Sequence, residues 1–416
     1  MLSDKDVLLD IKRGIMVLGR DINNPVLVLG GELAGLWVAR ILGRQGIDVY
    51  IVTAVQRDDA LSSKYCKKKR FIAGPWSCQI LRDILKEAAR TTSKRLVVYP
   101  SSDDLALNLS IIKDDVPDDF CFVIGKRDAV ETLVNKRKFY QVLKKHKIPY
   151  PTTFFPKDLA DANRLASEIS YPIFIKPSFP HLFNRVFGYE TKGFVANSRD
   201  ELLRYYHLAY SKKVDVLFQK VISGPPSSFY QIEGFYNRES QPSVLFARQA
   251  MRIWPLNFGN TTLCHSIPLS HLAEESKEIT KFLMNIQYNG IMSADFKRDT
   301  ADGKLLLLEI NTRLWLHFWL PTKCGADIIT ASYLDALNEN VEGYNKYATG
   351  VKSICFYPDL KSSAKMIRRK EIGFSEYTSS LFGRKVFAYY DRTDMLPFFR
   401  FYYRVVMSHL KGGYLL

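Results

Sequence analysis

Asp295, Glu309 and Asn311 are side chains of the kind that hold a hard divalent cation, and their placement brings them together. Asp295 lies in the run Gly290 to Asp299, and Glu309 and Asn311 lie in the run Lys304 to Arg313. A polar turn from Thr300 to Gly303, containing Asp-Gly, joins the two runs, which is a hairpin signal. Side chains two apart on a strand point to one face, so Glu309 and Asn311 share a face. Pairing across the hairpin can set Asp295 beside them. Two carboxylates and an amide oxygen suit Mg²⁺ bridging the phosphates of a nucleotide. Acids in a hairpin are ordinarily there to meet solvent. Glu309, however, follows Leu305 to Leu308, a run typical of a buried strand. An acid and an amide ending such a run need a metal or a cation as partner.

The elements that would position these groups fall into three stretches. Pro25 to Gly31 reads as a buried strand entering a glycine turn. Glu32 to Gln45 has helical spacing, and Gly46 ends it. Asp48 to Val52, Arg95 to Tyr99 and Phe120 to Ile124 read as further strands, so strands alternate with helices as in a parallel, Rossmann-like layer. The glycines of the turn are Gly30, Gly31 and Gly35, which is not the GxGxxG spacing, so a plain strand-to-helix turn is expected and no dinucleotide site. From Val130 the character changes. A basic helix, Lys136 to Lys147, leads to a strand. The helix Ala160 to Ser170, the strand Pro172 to Pro177, a loop from Ser178 to Lys192, the helix Ser198 to Ser211 and the strand Asp215 to Gln219 follow. With the strands that run on to Asn311 they make an α+β domain. Past about Gly350 the pattern weakens into a basic, aromatic tail.

The chain has 416 residues, 47% hydrophobic and 25% charged, as in ordinary globular proteins. No run of about 20 apolar residues predicts a spanning helix. Met1 to Arg13 mixes acid and base too evenly for a signal peptide, and a cytoplasmic location is expected. The six cysteines form no CxxC pair, so neither a zinc site nor a disulfide framework is expected. The net charge of +16 would suit nucleic acid, an anionic membrane or an anionic substrate. No nucleic-acid-binding signature is present, and nucleic acid is not expected as a partner. The runs Lys67 to Arg70 and Lys144 to Lys147 read as solvated faces. From Val351 onward there are 12 Lys or Arg against 5 Asp or Glu. Within Asp394 to Leu410, apolar and aromatic residues are interrupted by Arg400 and Arg404. This segment is expected to dock as a helix onto the chain or a second subunit, with peripheral contact at the inner face of a membrane as the alternative. Oligomeric state is left open.

The motif Leu308-Glu309-Ile310-Asn311-Thr312-Arg313 resembles the Glu-Ile-Asn-Pro-Arg signature of the ATP-grasp superfamily. The longer run from Asp295 to Trp315 resembles its branch similar to the large chain of carbamoyl-phosphate synthase. The order of elements agrees from roughly Leu27 to Asp327. The resemblance implies a Rossmann-like pre-ATP-grasp domain at 1–125, a two-lobed ATP-grasp domain at 126–345 and a C-terminal region at 346–416. It implies ATP and Mg²⁺ as cofactors, with Asp295, Glu309 and Asn311 on the metal. Lys136, Lys176 and Lys192 would serve the phosphates, and Gln219, Lys220 and Val221 would form the adenine hinge. Arg313 would lie near the transferred phosphoryl group, and Arg252, ahead of Asn257 to Thr261, would bind an anionic substrate on the acceptor side. His317 lies close behind Arg313 and could touch the acceptor, although a His on a helix surface is the commoner case. The chain departs from the family at Thr312, in place of proline, and at Gln219, in place of glutamate. The Ser178 to Lys192 loop has only Gly188, so Lys192 or Arg185 would supply part of the phosphate contact. The reaction implied is activation of a carboxylate as an acyl phosphate and its coupling to an amine. A bicarbonate-using carboxylase or carbamoyl-type kinase, and a non-catalytic ATP-binding scaffold, are the alternatives.

Overall fold

The computed structural model describes residues 18–19, 21–72, 75–188, 192–256, 258–341, 343 and 346–410. Met1 to Arg13, read above for a signal peptide, and Asn257, in the acceptor-side turn, lie outside the described residues. Five strands, β1 Val26–Leu29, β2 Val49–Thr53, β3 Cys66–Phe71, β4 Leu96–Pro100 and β5 Phe120–Phe122, form a parallel sheet in the order β3-β2-β1-β4-β5. Its central strands are buried on both faces, as parallel strands between helices must be. The lysine run forms β3, an exposed edge strand. Lysines along an edge keep its open hydrogen-bonding groups from pairing with another chain. The second basic run ends the Lys136–His146 helix, where cations meet the negative end of the helix dipole.

The glycine turn after β1 is occupied by a side chain of the protein itself. The Asp58 carboxylate already sits on the N-terminus of the Glu32–Gly43 helix, accepting from Glu32 N at 2.8 and 2.9 Å and from Thr53 Oγ1 at 2.7 Å. A Cβ on Gly31 would come 1.6 Å from Asp58 Oδ2, so the glycine is there to admit an internal anion.

A second sheet is antiparallel, with β6 Thr153–Phe154, β7 Ile173–Pro177, β8 Phe194–Ala196 and β9 Val216–Lys220 in the order β6-β9-β7-β8. Its core contains Ile173, Ile175, Phe183, Leu202 and Phe218. The segment expected as a loop from Ser178 contains instead a helix, Pro180–Phe187. Proline in its first turn suits the position, and Phe183 and Phe187 bury onto Phe194 at ring distances of 5.3 Å.

The third sheet has seven strands: β10 Phe229–Tyr236, β11 Pro242–Trp254, β12 Asn260–Ile267, β13 Gly290–Arg298, β14 Leu305–Asn311, β15 Lys352–Ile354 and β16 Lys385–Phe387, in the order β14-β13-β10-β11-β12-β15-β16. On one face Ile232, Ala294, Phe296 and Ile310 join a core with Phe139, Leu143 and Phe282. On the other, Phe235, Phe246 and Ile291 join a core with Trp319, Leu320 and Ile329. Because β15 and β16 extend this sheet, the expected boundary at 345/346 runs through it.

The basic tail folds back onto the first layer. Arg40, fully buried, donates to Asp394 Oδ2 at 2.9 Å and to the carbonyls of Tyr389 and Asp394. Asp394 also accepts from Ser63 Oγ and Lys64 N. Trp37 Nε1 donates to Ala388 O at 2.7 Å, and Trp37 stacks on Trp319. The last helix, Leu396–Leu410, is held by an Arg404–Asp59 ion pair and by Tyr389 stacked on Phe401. Among the described residues no helix is long and apolar enough to cross a membrane. Asp394→Ala should destabilise the chain by about 3–5 kcal/mol in urea unfolding, because it strands a buried guanidinium. A loss under about 1 kcal/mol, the scale of an exposed pair, would mean that the tail is held mainly by its apolar contacts.

Candidate functional site

The hairpin of β13 and β14 forms as its sequence requires, closed by Asp299 N to Lys304 O at 2.8 Å. Asp295 faces Glu309 directly, and Ser293 faces Asn311. Asn311 Nδ2 donates to Asp295 Oδ2 at 3.3 Å, and Ser293 Oγ to Asp295 Oδ1 at 3.4 Å. Burial and then the charge of Glu309 push the Asp295 carboxyl up to about 6, with Arg248, Lys192 and Arg313 pulling it back. Burial alone would raise Glu309 too, but Lys136, Lys176 and Lys192 outweigh it and hold that carboxyl far below its ordinary value.

The cations come from separate elements. Lys136, at the start of the Lys136–His146 helix, lies 3.0 Å from Glu309 Oε2 and is almost wholly buried. Lys176 projects from β7 and donates to Tyr140 Oη at 2.9 Å and to Leu308 O at 3.2 Å. Leu308 O is open because the β13–β14 register skips Leu308 between Glu309 and Leu307. A bulge leaves its extra residue outside the ladder, and here that carbonyl also accepts from Tyr140 Oη at 2.7 Å. One bulged residue therefore ties the second sheet to the third across the cleft. Desolvation lowers the pKa of Lys176, and the charges of Glu309 and Asp295 partly restore it. Lys192 donates to Asn260 Oδ1 at 2.7 Å. Its pKa also falls through desolvation, with Glu309 and Asp295 opposing, which puts it within the same field. Arg313 spans to the first layer, with Nε 3.1 Å from Asp103 Oδ1, and its charge reaches Asp295.

Gln219, Lys220 and Val221 form the exit from β9. The Gln219 amide donates to Thr153 Oγ1 at 2.9 Å, Lys220 N donates to Thr152 O, and Lys220 Nζ lies 3.8 Å from Asp299. The chain then crosses to the third sheet, where Lys297 Nζ donates to Ile222 O at 2.8 Å.

A second buried polar group continues the same sheet face and was missed by the sequence reading. Across the strands Glu309, Asp295, Gln231 and Arg248 form one row, and Asn311, Ser293 and Glu233 form the next. Arg248 Nε donates to Glu233 Oε1 at 2.5 Å, with side chains 5% and 0% exposed. Burial pushes Glu233 up to about 7 despite Arg248. Arg248 Nη1, Gln231 Oε1 and Thr312 Oγ1 are buried with no hydrogen-bond partner among the described residues. The available signal was Tyr230-Gln231-Ile232-Glu233, polar at alternate positions of an otherwise apolar strand.

No family model matches this chain. It is 25% identical over 268 residues to D-aspartate ligase of Enterococcus faecium, a match covering 62% of each chain. It is 26% identical over 216 residues to the 2-oxoglutarate carboxylase small subunit of Hydrogenobacter thermophilus, covering 48% of this chain and 43% of that one. It thus spans less than two thirds of either relative. The fold matches the biotin carboxylase domain of the H. thermophilus carboxylase, solved with MgADP, ADP and bicarbonate. The TM-score is 0.63 at 18% identity, over 80% of this chain and 73% of that one. It also matches N5-carboxyaminoimidazole synthetase of Staphylococcus aureus, with a TM-score of 0.58 at 12% identity over 77% of this chain and 78% of that one. The chain thus shares its fold with these two proteins, in keeping with the ATP-grasp resemblance of its sequence. The likeness noted above to the carbamoyl-phosphate synthase branch is consistent with these neighbours.

Two expectations are corrected by the structure. Arg252 does not face the cleft as a substrate ligand. It is 4% exposed, donates to both oxygens of Asp359 at 2.9 and 2.8 Å and to Ser380 Oγ at 2.7 Å, and so pins the Phe356–Arg368 helix to β11. A bulge between Ala250 and Arg252 shifts the alternation that would otherwise govern its direction. His317 is on no helix surface. It is fully buried, bonded to Ser353 Oγ at 2.8 Å and Thr261 O at 2.9 Å, and desolvation, then Arg248, brings its pKa down to about 3. Arg185 points toward Asp104, 4.0 Å away, on the first layer. Arg252→Met should lower the melting temperature, at a cost of about 3–5 kcal/mol for the stranded Asp359, while leaving the rise in melting temperature on adding MgATP unchanged. Loss of the MgATP response in a folded variant would return Arg252 to the nucleotide site.

Proposed function

We propose that this chain uses ATP and Mg²⁺ to phosphorylate a carboxylate and passes the resulting acyl group to an amine. The observation that carries this reading is the Asp295–Glu309 pair, two half-buried carboxylates set opposite each other with Asn311 alongside. Among the described residues Asp295 accepts from an amide and a hydroxyl, while Glu309 adds to its negative surroundings. A divalent cation fits that donor set: two carboxylates and an amide oxygen supply hard ligands, and phosphate and water would complete the shell. Among the described residues no group of three or more His, Cys, Asp or Glu is placed to hold a metal ion.

Bound MgATP supplies the phosphoryl group that turns a poor electrophile into a mixed anhydride. The chain's own task is to hold charge in place, since phosphoryl transfer needs positioning and electrostatic stabilisation more than covalent help. Lys136, held by Glu309, and Lys176, held by Tyr140 and Leu308 O, are fixed before any ligand arrives. The exit from β9 at Gln219 to Val221 is the proposed adenine hinge. Arg313 and Lys192 would face the transferred group. Arg248 Nη1, a buried donor with no hydrogen-bond partner among the described residues, supports a pocket for the carboxylate next to the metal row.

The relationship to D-aspartate ligase favours an amino-acid-like carboxylate–amine pair. The relationship to a carboxylase subunit sustains a second reading, with bicarbonate as the activated acid. Two assays separate them: ADP release stimulated by carboxylate and amine pools, or ADP release stimulated by bicarbonate alone. Glu309→Gln should reduce either activity by at least about 10³-fold while the circular dichroism spectrum stays unchanged, since it removes a charge from the cation site. Turnover retained in that variant would sink the metal assignment. Arg248→Lys keeps a charge against Glu233 but removes the planar fork, so KM for the carboxylate should rise about tenfold with a smaller change in kcat. An unchanged KM would remove Arg248 from the substrate pocket.

A further inference from the structure

The Leu396–Leu410 helix is apolar on two sides. Its inner side, with Pro397 and Val405 buried and Phe401 stacked on Tyr389 at 3.8 Å, docks onto the chain. Its outer side carries Leu396, Phe399, Tyr403, Val406 and Leu410, from 55% to 75% exposed. Their spacing alternates between three and four residues, which lines them up along one face of a helix. Ten of the seventeen exposed large apolar side chains among the described residues fall between Phe356 and Leu410. A surface helix normally shows its second face as polar, and a contiguous apolar stripe on a soluble protein marks a contact surface.

The charge pattern selects the partner. The helix contains Arg400, Arg404 and His409 and no Asp or Glu. Exposed Arg392 precedes it, and the region from Val351 onward holds 12 basic against 5 acidic residues. A second copy packed on this stripe would bring like charges together with no acid on the helix to offset them. An anionic lipid surface meets both features, accepting the apolar stripe among acyl chains and the exposed Arg392 and Arg400 among headgroups. The mounting is fixed: the Arg404–Asp59 pair and the buried Arg40–Asp394 pair hold the helix down, so it presents the stripe without leaving the protein. At its far end Tyr357 Oη meets His409 Nε2 at 3.1 Å, which places the Phe356–Arg368 helix, with exposed Phe356 and Leu360, beside the stripe.

We infer that the outer face of the Leu396–Leu410 helix is a peripheral docking surface for anionic lipid bilayers. This does not depend on the chemistry of the cleft. One helix that lies in the interface without spanning gives reversible binding, sensitive to both lipid charge and salt. The test is sedimentation of the full chain with vesicles of phosphatidylcholine alone or mixed with phosphatidylglycerol. Binding should be at least about tenfold stronger to the phosphatidylglycerol vesicles, and should weaken as salt is raised. The double variant Phe399→Glu, Tyr403→Glu should lose it while melting as the parent does, since both side chains are exposed. Equal binding to the two vesicle types would overturn the inference, as would undiminished binding by the double variant. So would a chain that ignores both vesicles and elutes as a dimer, with the double variant monomeric, which would assign the stripe to a second copy.

Discussion

Two carboxylates brought face to face on neighbouring strands, away from most of the solvent, repel each other. The remainder of the cleft is arranged around that repulsion. Asp295 and Glu309 occupy one cross-strand position, and the cost is met on one side by Lys136, 3.0 Å from Glu309, with Lys176 and Lys192 adding their fields. Asp295, facing the same charge, is left with an amide and a hydroxyl. The pair is therefore asymmetric: lysines of the chain offset the charge of Glu309, while Asp295 accepts only weak, neutral hydrogen bonds among the described residues, and in the proposed function both acids would serve the cation that accompanies the phosphates.

Holding that arrangement requires three separate sheets to meet. The bulge at Leu308 supplies a carbonyl that anchors both Tyr140 and Lys176, so the lysine of the second sheet is positioned by the backbone of the third. Arg313 reaches from the end of β14 to Asp103 on the first layer. The first layer itself has Asp58 seated on the helix N-terminus at its glycine turn. Its contribution is a wall of the cleft and a platform for the tail. The tail in turn completes the third sheet through β15 and β16 and stacks its last helix against the first layer, so distant parts of the chain are closed into one body.

The pairing of Asp295 with Glu309 was legible in the amino-acid order alone. A nine-residue strand, an Asp-Gly turn and a leucine run leave few other ways to bury those leucines, and strand alternation then dictates which side chains share a face. The alternating strands and helices of the first layer, and the failure of its glycines to make a dinucleotide turn, follow from the same local rules. Other features rested on partners far away in the chain. Arg252 looked like an anion ligand, but its partner Asp359 lies 107 residues on, and a bulge in β11 governs its direction. His317 is closed in by Ser353 and Thr261, and Arg248 by Glu233 across a strand pair. Local periodicity reports which face a residue occupies; it carries no information about which distant strand or helix will cover that face. That is the boundary between what could be read from the chain and what only its three-dimensional packing settled.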